Sequence, residues 1–281
     1  MSDRQNLLDS YFNENASYWK SVYGRADPAA RILQLRRDRC LEWVRELRLA
    51  PGAEILDAGC GAGLTAIPLA QSGYSVHAVD HAPAMLELTR KAAQRAGVAP
   101  SLSVSSADAR SLAGFGENQF HLVISLGVIA WLERPERAIS ATWRVLRPGG
   151  HLILSVGNRF CLHDLLDPRR NQLLAPARRK VATVLRRMGW LATPVGVSSV
   201  RSPEDHHLAP WKVDRMLATA NFYTEKGTTV GFGPFTLLRR KLFPDPVSER
   251  LDRVLQGLAD RNLVFLRSAG AHYLVLAKKP F

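Results

Sequence analysis

The stretch Ile55-Leu56-Asp57-Ala58-Gly59-Cys60-Gly61-Ala62-Gly63-Leu64 restricts the fold more than any other part of the chain. An apolar run with strand character ends on an acidic residue. It then enters a turn of closely spaced glycines and gives way to a helical pattern over Leu64–Gln71. The same grammar repeats: apolar runs at Glu54–Asp57, Ser75–Val79, Leu102–Val104, His121–Ser125 and His151–Val156 alternate with amphipathic stretches at Pro83–Ala96 and Glu136–Leu146. Strands separated by helices of about ten to fifteen residues are the mark of parallel βαβ units. Runs this apolar imply burial on both faces. The pattern predicts a doubly wound α/β domain.

Around that frame the chain divides further. Residues 3–23 read as one helix, with Leu7, Leu8, Tyr11, Phe12, Tyr18, Trp19 and Val22 in a single apolar-aromatic stripe. A second helix runs from Pro28 to about Leu49, where Pro51-Gly52 stops it. Residues 1–50 are thus expected as an N-terminal helical unit ahead of a main domain at 51–281. After Val156 the rhythm breaks, and 158–200 reads as an inserted helical segment, part of a cap over 158–210. A helix at 210–220, strands at Phe222–Val230 and Ala271–Lys278, and a helix at about 246–261 close the chain.

A length of 281 residues with 46% hydrophobic and 22% charged content excludes a disordered, collagen-like or disulfide-scaffold chain. No apolar run reaches the roughly 18 residues that span a bilayer, and the polar start at Ser2–Asn6 lacks the apolar core of a secretory signal. Cys40, Cys60 and Cys161 match neither a disulfide framework nor a zinc site, so no metal is expected and a reducing cytoplasm is the expected compartment.

A glycine turn between strand and helix lets a ligand approach backbone N–H groups, and the helix start adds unpaired donors and a positive dipole end. Asp80 closes the second strand, where a carboxylate can accept both hydroxyls of a ribose. These features suit any nucleoside-bearing ligand. The third glycine comes one position early for a dinucleotide fingerprint, and the Gly-Lys-Ser/Thr of a P-loop is absent. Asp57 would repel a pyrophosphate but suits an ammonium group. Carboxylate, ammonium, ribose and adenine together describe S-adenosylmethionine.

The stretch resembles the first motif of class I S-adenosylmethionine-dependent methyltransferases, and the resemblance extends over about residues 50–157. Asp80-His81-Ala82-Pro83-Ala84-Met85 is similar to the family's acidic ribose turn, whose Met packs on adenine, with His81 bordering the base. Ser106-Ala107-Asp108-Ala109 resembles the third-strand turn, whose Asp accepts from the adenine amino group. Phe120–Ser125 resembles the fourth strand, with His121 where the family usually has Asp. Val145–Gly150 resembles the connection into the fifth. The resemblance implies a seven-stranded, mostly parallel sheet with an antiparallel last strand at 271–278, and N-terminal helices that form a lid. It implies a cofactor set of Asp57, Gly59, Gly61, Asp80, His81, Met85, Asp108, Ala109, Ser125 and Leu126, with Tyr11, Tyr18 or Trp19 near the methionine end. Tyr11–Arg25 also resembles the opening segment of magnesium-protoporphyrin methyltransferases.

Such an enzyme would leave S-adenosylhomocysteine as its product. Methyl transfer to a hydroxyl or a protonated amine needs a base, and His163 and His207, in segments expected to border the acceptor, are the candidates. Ser125–Trp131 lacks the Asn/Asp-Pro-Pro-Tyr of enzymes that methylate exocyclic amides, which argues against nucleic acid despite a net charge of +13. The apolar wall of Leu126, Val128, Ile129 and Trp131 suits a small-molecule or lipid-like acceptor, with O-methylation ahead of N or C. An RNA methyltransferase and a catalytically silent S-adenosylmethionine-binding protein stand as alternatives. Between Arg159 and Leu191 the chain carries a net charge of +6, and residues 178–187 form a basic amphipathic face suited to an anionic membrane surface.

Overall fold

The computed structural model of the protein describes residues 3–25, 28–168 and 207–281, apart from positions 234, 239, 262 and 264, together with positions 171, 174, 176, 177, 180, 181, 183 and 184. Five strands follow the predicted apolar runs: β1 (Glu54–Ala58), β2 (Ser75–Asp80), β3 (Leu102–Ser106), β4 (Phe120–Leu126) and β5 (Leu146–Gly157). With β6 (Tyr223–Val230) and β9 (His272–Lys278) they make one seven-stranded sheet in the order β3-β2-β1-β4-β5-β9-β6. Strands β1 to β5 pair in parallel, and β9 runs antiparallel to both β5 and β6. A separate ribbon joins β7 (Thr236–Leu237) to β8 (Arg240–Lys241).

Strand alternation sorts the apolar residues onto two faces. Ile55, Ile124, Ile153 and Leu274 pack with Cys40, Trp43 and Val44 of α3 (Pro28–Glu46), Leu69 of α4 (Ala66–Gln71) and Leu86 of α5 (Pro83–Arg95). Leu56, Val123, Leu152 and Val275 face the other way. They meet Ile139 and Val145 of α6 (Pro135–Val145) and Val213 and Leu217 of α8 (Pro210–Thr219). Each fully buried side chain of this size contributes roughly 1.5–3 kcal/mol. The doubly wound α/β architecture is therefore the observed one.

Some boundaries differ from the sequence reading. The helix expected over 3–23 is α1 (Asp3–Glu14) and α2 (Ala16–Ser21), with a final tight turn at Val22–Gly24. Asn15 interrupts it, and its side-chain amide donates to the Tyr11 carbonyl at 2.8 Å. Local side-chain bonding of this kind competes with the helical ladder. The aromatic stripe divides accordingly: Leu8, Ala16 and Val22 are buried, whereas Leu7 and Tyr18 are exposed. Strand β5 begins at Leu146 rather than His151, because Gly149 and Lys279 extend the edge hydrogen bonding. His121 is structural, accepting from the Glu54 N–H at 3.0 Å.

Of the segment read as a helical cap, α7 (Leu162–Leu166) is described and most of 169–206 lies outside the described residues. The basic face at 178–187 falls largely there; Val181 and Val184 are described, and both are exposed. Among the described residues no helix is long and apolar enough to cross a membrane. The closing helix is α9 (Asp245–Asp260).

Candidate active site

The chain builds β1, β2 and β3 outward in one direction, then crosses back to lay β4 and β5 on the other side of β1. The switch between β1 and β4 opens a crevice at the carboxyl ends of the strands, which is where ligands bind in open α/β sheets. A cavity of about 330 Å³ occupies this crevice, within the range of roughly 300–1,000 Å³ for small-molecule sites. It extends from the ends of β2 and β3, at Asp80 and Asp108, past β1 to Gly157 and His272 at the ends of β5 and β9.

The turn after β1 has its shape because of Gly59. Its φ is +82°, and a Cβ there would sit 2.2 Å from Cγ2 of Val128, so only glycine fits between the turn and the segment after β4. The N–H groups of Gly59 and Cys60 both donate to the Val79 carbonyl. That of Gly61 donates to Oδ2 of Asp80 at 2.9 Å. Asp80 Oδ1 accepts from the Ala82 N–H at 2.9 Å, so one carboxylate ties the glycine turn to the start of α5. Each oxygen retains acceptor capacity for a further donor. Burial raises the Asp80 carboxyl above its usual range, against the pull of the Ala82, Gly61 and His81 N–H groups.

Asp57 is buried at the end of β1, and its Oδ2 has no hydrogen-bond partner among the described residues. Burial, with Asp80 close by, pushes its carboxyl up to about 7; the Ala66 N–H and Arg36 pull the other way. An orphaned buried carboxylate facing a cavity is a receptor for a cation. Arg36 reaches the same cavity from α3, buried except for 8% of its surface. Its Nη1 lies 2.6 Å from where a Cβ on Gly127 would stand, so the bare backbone there admits the guanidinium. A fixed cation and an orphaned carboxylate in one pocket match an amino-acid zwitterion. Arg36 was not among the sequence candidates.

The remaining predicted residues divide by position. Gly59, Gly61, His81, Met85, Asp108, Ala109 and Leu126 line the cavity with Asp57 and Asp80, and Ser125 lies behind the wall. Asp108 is already engaged in a pair with Arg110, at 2.7 Å from Nη2 to Oδ2. Burial would raise its carboxyl, but the Arg110 hydrogen bonds and charge outweigh this and hold it below the usual range. His81 Nδ1 lies 2.9 Å from Oδ1 of Asp9 on α1. Trp19 lines the cavity, and its indole Nε1 is buried without a partner among the described residues. Tyr11 packs tilted against Trp131 with ring centroids 6.0 Å apart, and neither Tyr11 nor Tyr18 forms part of the wall.

The two histidines expected to act as bases stand off the wall. His163, on α7, lies 3.3 Å from Oδ1 of Asp164 and 4.0 Å from the Cys161 sulfur. His207 lies against the backbone of Gly157, 2.8 Å from where a Cβ would be. The histidine on the wall is His272, paired across the sheet from Gly157. Cys60 also lines the cavity, and burial pushes its thiol well up, so it is no nucleophile.

Residues 56–154 match a family model described as a methyltransferase domain. The chain is 31% identical over 163 residues to the tRNA 5-carboxymethoxyuridine methyltransferase of Escherichia coli, covering 57% of this chain and 60% of that protein. It is 32% identical over 159 residues to a ubiquinone biosynthesis O-methyltransferase of Alkalilimnicola ehrlichii, covering 56% and 62%. The chain thus spans about three fifths of the length of these curated relatives. Its fold is similar to that of magnesium protoporphyrin IX methyltransferase from Synechocystis, crystallised with bound S-adenosylhomocysteine. The TM-score is 0.62 at 18% identity, covering 99% of this chain and 100% of that one.

Proposed function

We propose, from the premise that residues 56–154 are a methyltransferase domain on the class I fold, that the chain moves the methyl group of S-adenosylmethionine to a small-molecule or amphiphilic acceptor. The observation that carries this reading is that Arg36 and the unpartnered Oδ2 of Asp57 line the same strand-end cavity. When bound, the cofactor supplies a methyl group already activated by its sulfonium.

The chain's own residues then have positioning work to do. Asp57 receives an ammonium group and Arg36 a carboxylate. The free lone pairs of Asp80 accept from ribose hydroxyls, and Met85 packs against a purine. Helices α1 and α2 lay Leu8, Asp9, Phe12 and Trp19 along the cavity, which supports reading residues 1–50 as a lid that excludes water. Residues 158–210 are read as the acceptor cap of the domain at 51–281. The apolar lining by Leu33, Val128, Trp131 and Leu132 favours a small or lipid-like acceptor over a polynucleotide.

Calorimetry with S-adenosylhomocysteine tests the reading. Binding in the wild type, weakened by roughly 1.5–3 kcal/mol in Arg36→Met through loss of a charge-assisted hydrogen bond, is expected. No heat of association in the wild type rules the reading out. The similarity to a tRNA methyltransferase and the charge of +13 favour a second reading, action on RNA. Methylation of bulk tRNA, with affinity falling steeply with salt, selects that reading. Binding of S-adenosylhomocysteine without transfer to any of a broad acceptor panel selects a silent cofactor-binding protein.

A further inference from the structure

The far end of the cavity, beyond Arg36 and Gly127, holds a group that the binding scheme above leaves unused. His272 is the first residue of β9 and stands opposite Gly157, so the sheet itself delivers its ring to the crevice. Nδ1 is sealed from solvent with no partner among the described residues, which leaves Nε2 as the ring nitrogen toward the cavity. A histidine bound up in structure has its nitrogens satisfied; this one has not. The charged and titratable groups around it are Arg36 from α3, His207 from the segment before α8 and His163 from α7. Two carboxylates face these groups: Asp164 lies 3.3 Å from His163, and Asp57 shares the cavity with Arg36. Burial, reinforced by these three groups, holds the ring well below its ordinary range, so in the empty protein it stands neutral, with Nε2 free to accept a hydrogen bond.

We propose that His272 is the proton acceptor at the methyl-acceptor end of the cavity, and that the acceptor is a hydroxyl compound. This rests on the methyltransferase reading. Nε2 of His272 takes the hydroxyl proton as the acceptor oxygen gains the methyl. The electron pair of the broken sulfur–carbon bond remains on sulfur, and the imidazolium afterwards yields its proton to solvent. The bare backbone of Gly157 admits the His207 ring close to this end of the cavity, whose wall Gly157 and His272 form together. His207 is a positioning residue in this scheme. Pairing of Arg36 with a cofactor carboxylate also removes one of the repulsions acting on the ring, so His272 becomes a stronger base once the cofactor site is filled.

The test uses 4-nitrophenol as the hydroxyl probe, because its ionised form absorbs visible light and its neutral form does not. With saturating S-adenosylhomocysteine, and at a pH below the probe's own pKa, the wild type is expected to bind 4-nitrophenol as the phenolate. His272→Gln, shown folded by circular dichroism and unchanged S-adenosylhomocysteine affinity, is expected to lose that band. Proton-transfer groups contribute about 10²–10⁴-fold to rate, so turnover on any hydroxyl acceptor should fall within that range. In parallel, nitrogen-15 titration of the His272 ring should show its pKa rising when S-adenosylhomocysteine binds. A phenolate band unchanged in His272→Gln, a probe that does not bind the loaded wild type, or a ring whose titration ignores the cofactor overturns the proposal. Failure of S-adenosylhomocysteine to bind the wild type overturns the methyltransferase reading itself, and the two failures are read separately.

Discussion

Asp57 and Arg36 come to one cavity from different layers of the molecule, the first from strand β1 and the second from helix α3, which packs on one face of the sheet. They leave Oδ2 of Asp57 without a hydrogen bond among the described residues. Such an arrangement costs the empty protein stability and gives a zwitterionic ligand its place.

Replacing Asp57 with Asn should therefore separate stability from binding. The native carboxyl is pushed up to about 7 from 3.8, so the native state keeps its proton over that window and the unfolded chain does not. The stability this confers is complete below about 3.8 and lost as pH rises to about 7. At pH 8 the wild type carries the full burden of a buried charge, on the order of 4 kcal/mol. Asp57→Asn should melt at higher temperature than the wild type at pH 8, should lose that advantage at pH 4, and should bind S-adenosylhomocysteine poorly throughout. Thermal melts at both pH values, with and without the ligand, check all three statements.

The same carboxyl sets a pH dependence on binding. A ligand ammonium needs Asp57 ionised, so below about pH 7 binding must first expel a proton. S-adenosylhomocysteine affinity should fall by about tenfold per pH unit on descending from there. The slope should vanish in Asp57→Asn. Isothermal titrations between pH 5.5 and 8 read it directly; an equal slope in the two proteins would assign it to another group.

Gly59→Ala introduces a methyl group 2.2 Å from Val128 Cγ2 and forces a φ of +82° on a residue that resists it. The backbone contribution alone is roughly 1–2 kcal/mol. The single variant should lose both stability and S-adenosylhomocysteine binding. Adding Val128→Ala should recover the steric part and leave the backbone part, so rescue by the double variant should be incomplete. A double-mutant cycle on melting free energies measures the division.

Trp19 supplies the fourth prediction. Its buried Nε1 donor has no partner among the described residues. In Trp19→Phe a smaller aromatic ring remains and the orphaned donor goes, so the packing lost is offset and the stability of the empty protein should change little. If a ligand satisfies that donor, S-adenosylhomocysteine affinity should fall several-fold, in line with about 1 kcal/mol for a neutral hydrogen bond. Equal affinity would place the indole outside the binding contacts.

How much of this was legible in the chain follows from how local each signal is. The glycine turn, Asp57, Asp80 and Met85 lie within one βαβ unit, where spacing along the sequence fixes position in space. Arg36 and His272 reach the cavity only because α3 packs on one face of the sheet and β9 pairs beside β5, and no short-range pattern encodes that. Yet a trace of Arg36 was present. It falls between Ile32 and Cys40 at helical spacing, and Cys40 is fully buried, so a charge occupies the core-facing stripe of its helix. His272 likewise opens a strand that is otherwise apolar until Lys278. The aromatic stripe of the first helix misled for the opposite reason. Periodicity treated Tyr11, Tyr18 and Trp19 alike, but the bend at Asn15 turned Tyr18 outward and left only Trp19 on the cavity wall.

Strand β9 lies between β5 and β6, although it is made after every other strand. Until residue 278 has left the ribosome, β5 and β6 have no neighbour to join them, and the long sequence separation makes this closure a slow contact to form. The same strand carries His272, so a chain made only as far as β6 holds its glycine turn and acidic residues in one βαβ unit before the residue proposed as proton acceptor joins them.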